Sequence, residues 1–170
     1  MIKPEEVEEY AKKKENQNLR FRAFLKNHAD ETKLDEQFAE LHKEIFESYD
    51  CSQCRRCCKE YHGSIPEADI ARDAKILNIS KDEFVEKYLK LDDLEIQYIT
   101  KHKPCDFLQE DGSCLLGDYR PENCKEYPYT NKPERLWSLL SMVEALWICP
   151  VSCEIWERLK KQYGFKTKKR

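Results

Sequence analysis

Apolar positions in the first fifty residues recur with a helical period. Leu34, Phe38, Leu41 and Ile45 follow at spacings of four, three and four, and Tyr49 extends the same face. Upstream, Tyr10, Phe21, Phe24 and Leu25 mark another helix, and Asn27-His28-Ala29-Asp30 interrupts the pattern between the two. Pro4-Glu5-Glu6 suits a first helical turn. Proline lacks the N–H that would go unpaired there, and acids favour the positive end of the helix dipole. The pattern predicts a helical hairpin over 1–50 packed on the rest of the domain, the alternative being an arm that docks a protein partner.

Further along, Ser64-Ile65-Pro66-Glu67 and Ser80-Lys81-Asp82-Glu83 both carry the capping-box pattern. Ile70, Ala74 and Leu77 give the first following helix an apolar face, and Phe84, Tyr88 and Leu89 mark the second. Leu94 to Ile99 alternates apolar and polar residues, which predicts a small strand. Asp111-Gly112, between Phe107-Leu108 and Cys114-Leu115-Leu116, reads as a tight hairpin turn. Residues 133–163 read as two helices broken at Cys149-Pro150, since proline restricts the residue before it. The expected fold class is mostly α: a small single domain of helices around a loop-rich Cys metal site, with a short β-hairpin. Its parts are the hairpin 1–50, a Cys-cluster domain 51–164 and a basic tail 165–170.

Composition sharpens this picture at two points. The 170 residues carry 30 basic and 33 acidic side chains, a net charge of −3. That near-balance supplies no global attraction for nucleic acid or an anionic membrane, so neither partner is expected. The longest apolar window, near Leu136–Pro150, is broken by Glu144 and falls short of a bilayer span. The N-terminus has no apolar run behind a basic start, so no signal peptide is read and a cytoplasmic location is expected. The second point is the 9 Cys. An odd number cannot all pair within one molecule, and reduced Cys in the cytosol read as metal ligands rather than disulfides.

The Cys spacing narrows the chemistry. Cys51-Ser52-Gln53-Cys54-Arg55-Arg56-Cys57-Cys58 places three Cys at intervals of three and a fourth directly after. A two-residue gap lets neighbouring sulfurs turn toward one point, and backbone N–H groups of such a loop can spread thiolate charge. Arg55 and Arg56 favour the thiolate form. Cys105, Cys114, Cys124, Cys149 and Cys153 lie downstream, at gaps of nine, ten, twenty-five and four within that series. Structural zinc sites usually present two close pairs, whereas here the close spacing occurs once, as a triple. The triple resembles the bacterial ferredoxin run, whose last ligand precedes a proline, as Cys149 precedes Pro150. Spacing therefore favours an iron–sulfur cluster over zinc, with two ions or a mixed site also open. Cys153, one turn beyond Cys149, reads as the Cys left over.

These motifs have a family likeness. The Cys51–Cys58 run, Cys105-x-Phe107-Leu108, Gly112-x-Cys114, Arg120-Pro121-x-x-Cys124 and Cys149-Pro150 follow in order. The set resembles the YkgJ-type cysteine-cluster family, also called the CxxCxxCC or zinc- or iron-chelating domain family. Asn18, Phe21-Arg22-x-Phe24-Leu25-Lys26 and Leu41-His42-x-Glu44-x-Phe46 resemble the N-terminal helices of one of its branches, so the likeness runs over about residues 15–160. The resemblance implies eight metal ligands: Cys51, Cys54, Cys57, Cys58, Cys105, Cys114, Cys124 and Cys149. It implies a [4Fe–4S] cluster or zinc as cofactor. A related group, the flagellin lysine N-methylases, carries a similar Cys cluster with an iron–sulfur centre. Asp106 stands where the family usually has proline, and Gly117 where it often has tyrosine.

Other residues weigh less. Arg120 is expected to anchor a loop or offset thiolate charge at the cofactor. His42 reads as surface or structural, and His62 and His102 as minor candidates for ligands. No Gly-rich phosphate loop and no Ser/His/Asp order stands out. The function expected is a cytosolic Cys-cluster protein binding one or more metal centres. The alternatives are a metal-dependent protein-modifying enzyme resembling flagellin lysine N-methylase, and a helical interaction module with a structural zinc site.

Overall fold

The computed structural model describes residues 1–166. In chain order its elements are α1 (Val7–His28), α2 (Glu31–Phe46), α3 (Cys51–Cys54), α4 (Arg56–Glu60) and β1 (Ser64–Ile65). Then follow α5 (Glu67–Ile76), α6 (Lys81–Tyr88), β2 (Leu89–Leu91) and β3 (Tyr98–Thr100). The chain closes with α7 (Glu122–Glu126), α8 (Leu139–Ala145) and α9 (Pro150–Gln162). The fold is mostly α, as the apolar periodicity predicts, with one small three-stranded sheet; the hairpin expected at Asp111-Gly112 is reduced to a single bridge between Leu108 and Cys114. Among the described residues no helix is long and apolar enough to cross a membrane.

The chain divides into two compact units, one formed by Met1–Asp50 with the chain from Pro128 onward, the other by Cys51–Tyr127. In the first unit, the stripe Leu34, Phe38, Leu41 and Ile45 is buried along α2, and Phe21 and Leu25 are buried on α1. Asp30 caps α2 by accepting the Lys33 N–H at 2.9 Å, which explains the break read between the two helices. Pro150 stands at the start of α9 behind Cys149, and α8 begins only at Leu139, later than the predicted 133. Trp156 of α9 is fully buried and meets Phe21 edge-on at 5.1 Å. Phe165, assigned to the basic tail, instead packs its ring 5.0 Å from Phe21, because an aromatic side chain gains from burial in this cluster. Residues 167–170 of that tail lie outside the described residues.

A buried charge sits in the same unit. Lys160, 4% exposed, donates to Asn18 Oδ1 at 2.6 Å and to Glu157 Oε1 at 2.7 Å. Tyr10 donates to the same Glu157 oxygen at 2.6 Å. Burial pulls the Lys160 ammonium below its ordinary range, while its bond to Glu157 opposes the shift. A charge this deep is tolerable because the ammonium donates to two side-chain oxygens, one of them a carboxylate.

The Cys51–Tyr127 unit is built on a three-stranded antiparallel sheet of order β1-β3-β2. Ile65, Ile70, Ala74, Phe84, Leu89, Phe107 and Leu116 form its core. The Ser80 capping box forms: Ser80 Oγ accepts from the Glu83 N–H at 3.2 Å, and Glu83 Oε2 accepts from the Ser80 N–H at 2.8 Å. The expected box at Ser64 does not form. Ser64 instead pairs with Ile99 in the sheet, its hydroxyl donates to Gln97 Oε1 at 2.9 Å, and Pro66 caps α5 with no side-chain bond. The strand expected over 94–99 is shifted to Tyr98–Thr100, because Asp92 accepts N–H groups of Ile96 and Gln97 and holds 92–97 in a turn. Leu89, placed on a helix face by its spacing, opens β2.

Candidate metal centre

The Cys51–Cys58 segment, read as a loop, is two short helices hinged at Arg55. Arg55 adopts the left-handed conformation at φ 51°, which ends α3 and redirects the chain into α4. Cys51 and Cys54 therefore lie three apart on α3, and Cys57 and Cys58 are neighbours on α4. Adjacent helical positions are turned by about 100° from each other, so only one of the pair can point squarely at a given spot. The Cys57 and Cys58 sulfurs remain 3.9 Å apart.

Cys58 faces a cavity of about 30 Å³ that Cys105, Cys114 and Cys124 also line, with Arg55 and Arg120 at its wall. Each thiol arrives from a different local structure. Cys105 is tied to α4 through its N–H, which donates to the Cys58 carbonyl at 2.7 Å. Cys114 sits across the predicted hairpin, bridged to Leu108, with Gly112 supplying φ +82° at the turn. Cys124 is on α7, and Arg120 Nη2 donates to its carbonyl at 2.6 Å. Three of the five downstream Cys thus line one cavity with the last Cys of the early run.

Charge in this cavity is uneven. The hydrogen bond from Cys57 lowers the Cys58 thiol to about 6, helped by Arg120, Arg55 and Lys59 against the opposing effect of burial. Burial raises the Cys105 and Cys114 thiols and pushes Cys124 up to about 11. Near pH 7 and without metal, Cys58 is a thiolate and the other three are thiols. A metal binds thiolates, so loading these four should release about three protons per site near pH 7. Affinity should fall as pH drops, steepening below about pH 6 as Cys58 too takes up a proton. Titration in buffers of different ionisation enthalpy checks this; a release of one proton or fewer would contradict it.

Gly63 packs against the same wall. A Cβ there would stand 3.3 Å from Thr100 Cγ2 and 3.4 Å from Cys105 Sγ. Gly63 also exchanges bonds with Thr100, whose hydroxyl accepts its N–H at 2.8 Å and whose N–H donates to its carbonyl at 2.8 Å. Gly63→Val should push Cys105 off its position and lower metal content per chain, measured by elemental analysis, while Gly63→Ala does so mildly.

The remaining predicted ligands are placed differently. Cys51, Cys54 and Cys57 belong to the same unit as the cavity but are not among its lining residues. Cys149 belongs to the other unit and is buried at the head of α9. Cys153 is wholly buried, and its thiol donates to the Leu146 carbonyl at 3.1 Å. His42 Nδ1 lies 2.8 Å from Thr130 Oγ1, and burial lowers its pKa. His62 Nδ1 lies 2.7 Å from the Thr100 carbonyl, and His102 Nδ1 lies 2.7 Å from Asp106 Oδ1. Spacing singled out Arg55 only as part of a basic pair. Its Nε is buried with no hydrogen-bond partner among the described residues, and Arg55 lines the thiol cavity, a placement that depends on the left-handed turn and not on charge pattern.

A helical protein in which four half-buried thiols line one cavity with two arginines has the donor set of a cysteine-rich metal-chelating protein. The family model CxxCxxCC, described as "Putative zinc- or iron-chelating domain", matches residues 50–154, and the chain belongs to that family. No curated protein and no solved structure matches it.

Proposed function

We propose that this protein carries an iron–sulfur cluster on Cys58, Cys105, Cys114 and Cys124, with Arg55 and Arg120 offsetting the charge of the thiolates. The observation that supports a metal centre is the meeting of four thiols on one cavity that Arg55 and Arg120 also line. What favours a cluster over zinc is the sequence: the close Cys spacing occurs once, as a triple, where structural zinc sites usually present two close pairs. Cys51, Cys54 and Cys57 belong to the same unit, with the Cys57 sulfur 3.9 Å from that of Cys58. Cys149 completes the eight by motif order.

A protein of this kind binds metal for redox handling or to support a partner, and the cytoplasm suits its reduced thiols. The test is competitive reconstitution. Protein stripped of metal under anaerobic conditions is offered ferrous iron with sulfide, or zinc alone. A visible charge-transfer band that Cys58→Ala and Cys105→Ala each abolish is the expected result. Stoichiometric zinc uptake that iron and sulfide do not displace would overturn the cluster.

A further inference from the structure

A second cavity lies in the Cys51–Tyr127 unit, against the sheet and beside the thiol-lined one. Its volume is about 530 Å³, within the range of ligand sites. Ile65 lines both cavities, and the second is also bordered by Glu122 and Asn123 of α7, next to Cys124. Four carboxylate residues line it: Glu67 and Asp69 from the first turn of α5, Glu95 from the β2–β3 turn, and Glu122 from α7. Among the described residues no lysine or arginine lines it. Asp69 is paired with Arg72 at 3.0 Å and Glu122 with Lys125 at 3.8 Å, whereas Glu67 and Glu95 pair with no cation among the described residues. Apolar surface adjoins the acids. Ile96 is 76% exposed and Leu91 45% exposed, and Tyr98 completes that side.

We propose that this groove docks a polypeptide segment bearing Lys or Arg side chains separated by apolar residues. Two unpaired carboxylates attract the cations, and the two partly paired ones keep the field negative. Leu91 and Ile96 gain by covering apolar surface that water otherwise wets. A simple inorganic cation would use the acids but leave that apolar side uncovered, which is why a peptide is the occupant argued for. The docked segment would lie one side chain, Ile65, away from the thiol cavity. The proposal does not depend on which metal that cavity takes.

The probe is a fluorescein-labelled decapeptide of alternating Lys and Leu, with a Glu-for-Lys peptide as its control. Binding to the full-length, metal-loaded protein is read by fluorescence anisotropy. The expected result is saturable binding of the Lys peptide alone, weakening as salt rises from about 50 mM to about 300 mM. The double variant Glu67→Gln, Glu95→Gln should weaken it by about fivefold or more. Ile96→Ser should weaken it separately. Glu8→Gln, Glu9→Gln makes the same charge change on α1 of the other unit and should leave binding unaltered. Circular dichroism and metal content confirm that each variant is folded and loaded. Equal loss in both double variants, no binding by the parent protein, or calcium binding in the groove without peptide binding would overturn the proposal.

Discussion

Stripping the metal from the purified protein is expected to unfold the Cys51–Tyr127 unit, and Cys124→Ser to come close to the same result. The reason is the size of what remains. The unit has fewer than about 80 residues, and its core comprises seven buried side chains. Its strands are two or three residues long, and α3, α4 and α7 run for four or five. Helices of that length do not persist alone. The four proposed ligands come from α4, the residue after Pro104, the Leu108–Cys114 bridge and α7, none of which the sheet joins directly, so a metal they share would tie these pieces together. Metal binding to a structural thiolate site is worth on the order of 10 kcal/mol at neutral pH, comparable with the whole stability of a small domain. On the proposed ligation, Cys124→Ser would take away one bond to the metal and leave the other three ligands to hold it. Hydrogen exchange at β2 and β3 should collapse after chelation, together with the tyrosine near-UV signal. A metal-free protein that keeps both, and its melting point, would show that the seven-residue core suffices.

The second large effect belongs to the other unit. Trp156→Ala should destabilise it by about 3–5 kcal/mol, the usual range for deleting a buried aromatic ring. Trp156 is fully buried and meets Phe21 edge-on at 5.1 Å, and Phe21 in turn packs on Phe165. The alanine would leave a hole along α9 that the helix cannot close, because Ile155 and Leu159 beside it are themselves fully buried. Denaturant unfolding monitored by far-UV circular dichroism measures the loss. The metal held by Cys58, Cys105, Cys114 and Cys124 should stay at the parent level per folded molecule, since all four lie in the Cys51–Tyr127 unit and Trp156 does not. A loss under about 1 kcal/mol would mean that the ring is not well packed.

The contrast between these two units explains what the sequence could reveal. Leu34, Phe38, Leu41 and Ile45 are legible because burial on one face of a long helix imposes a period on the chain. Ser80 and Glu83 are legible because a capping box is a local exchange of two hydrogen bonds. Ser64 shows the same letters in another setting. Its pairing partner, Ile99, is thirty-five positions away, and such a pairing leaves no local mark. Lys160 and Asn18 are buried partners across 142 positions, a pairing that likewise leaves no local mark. At the metal centre, the order of eight Cys is visible in the chain, but the grouping is not. Which member of the Cys57–Cys58 pair faces Cys105, Cys114 and Cys124 depends on the rotation of α4, set by the left-handed turn at Arg55.

That grouping leads to the most direct test. The protein is expressed without added zinc or iron, purified under strictly anaerobic conditions, and assayed for iron, zinc and acid-labile sulfide alongside its visible absorption spectrum. A brown protein with iron and sulfide in near-equal amounts, lost in Cys58→Ala, is the result expected for a cluster on the four thiols. A colourless protein with stoichiometric zinc and no sulfide would contradict it.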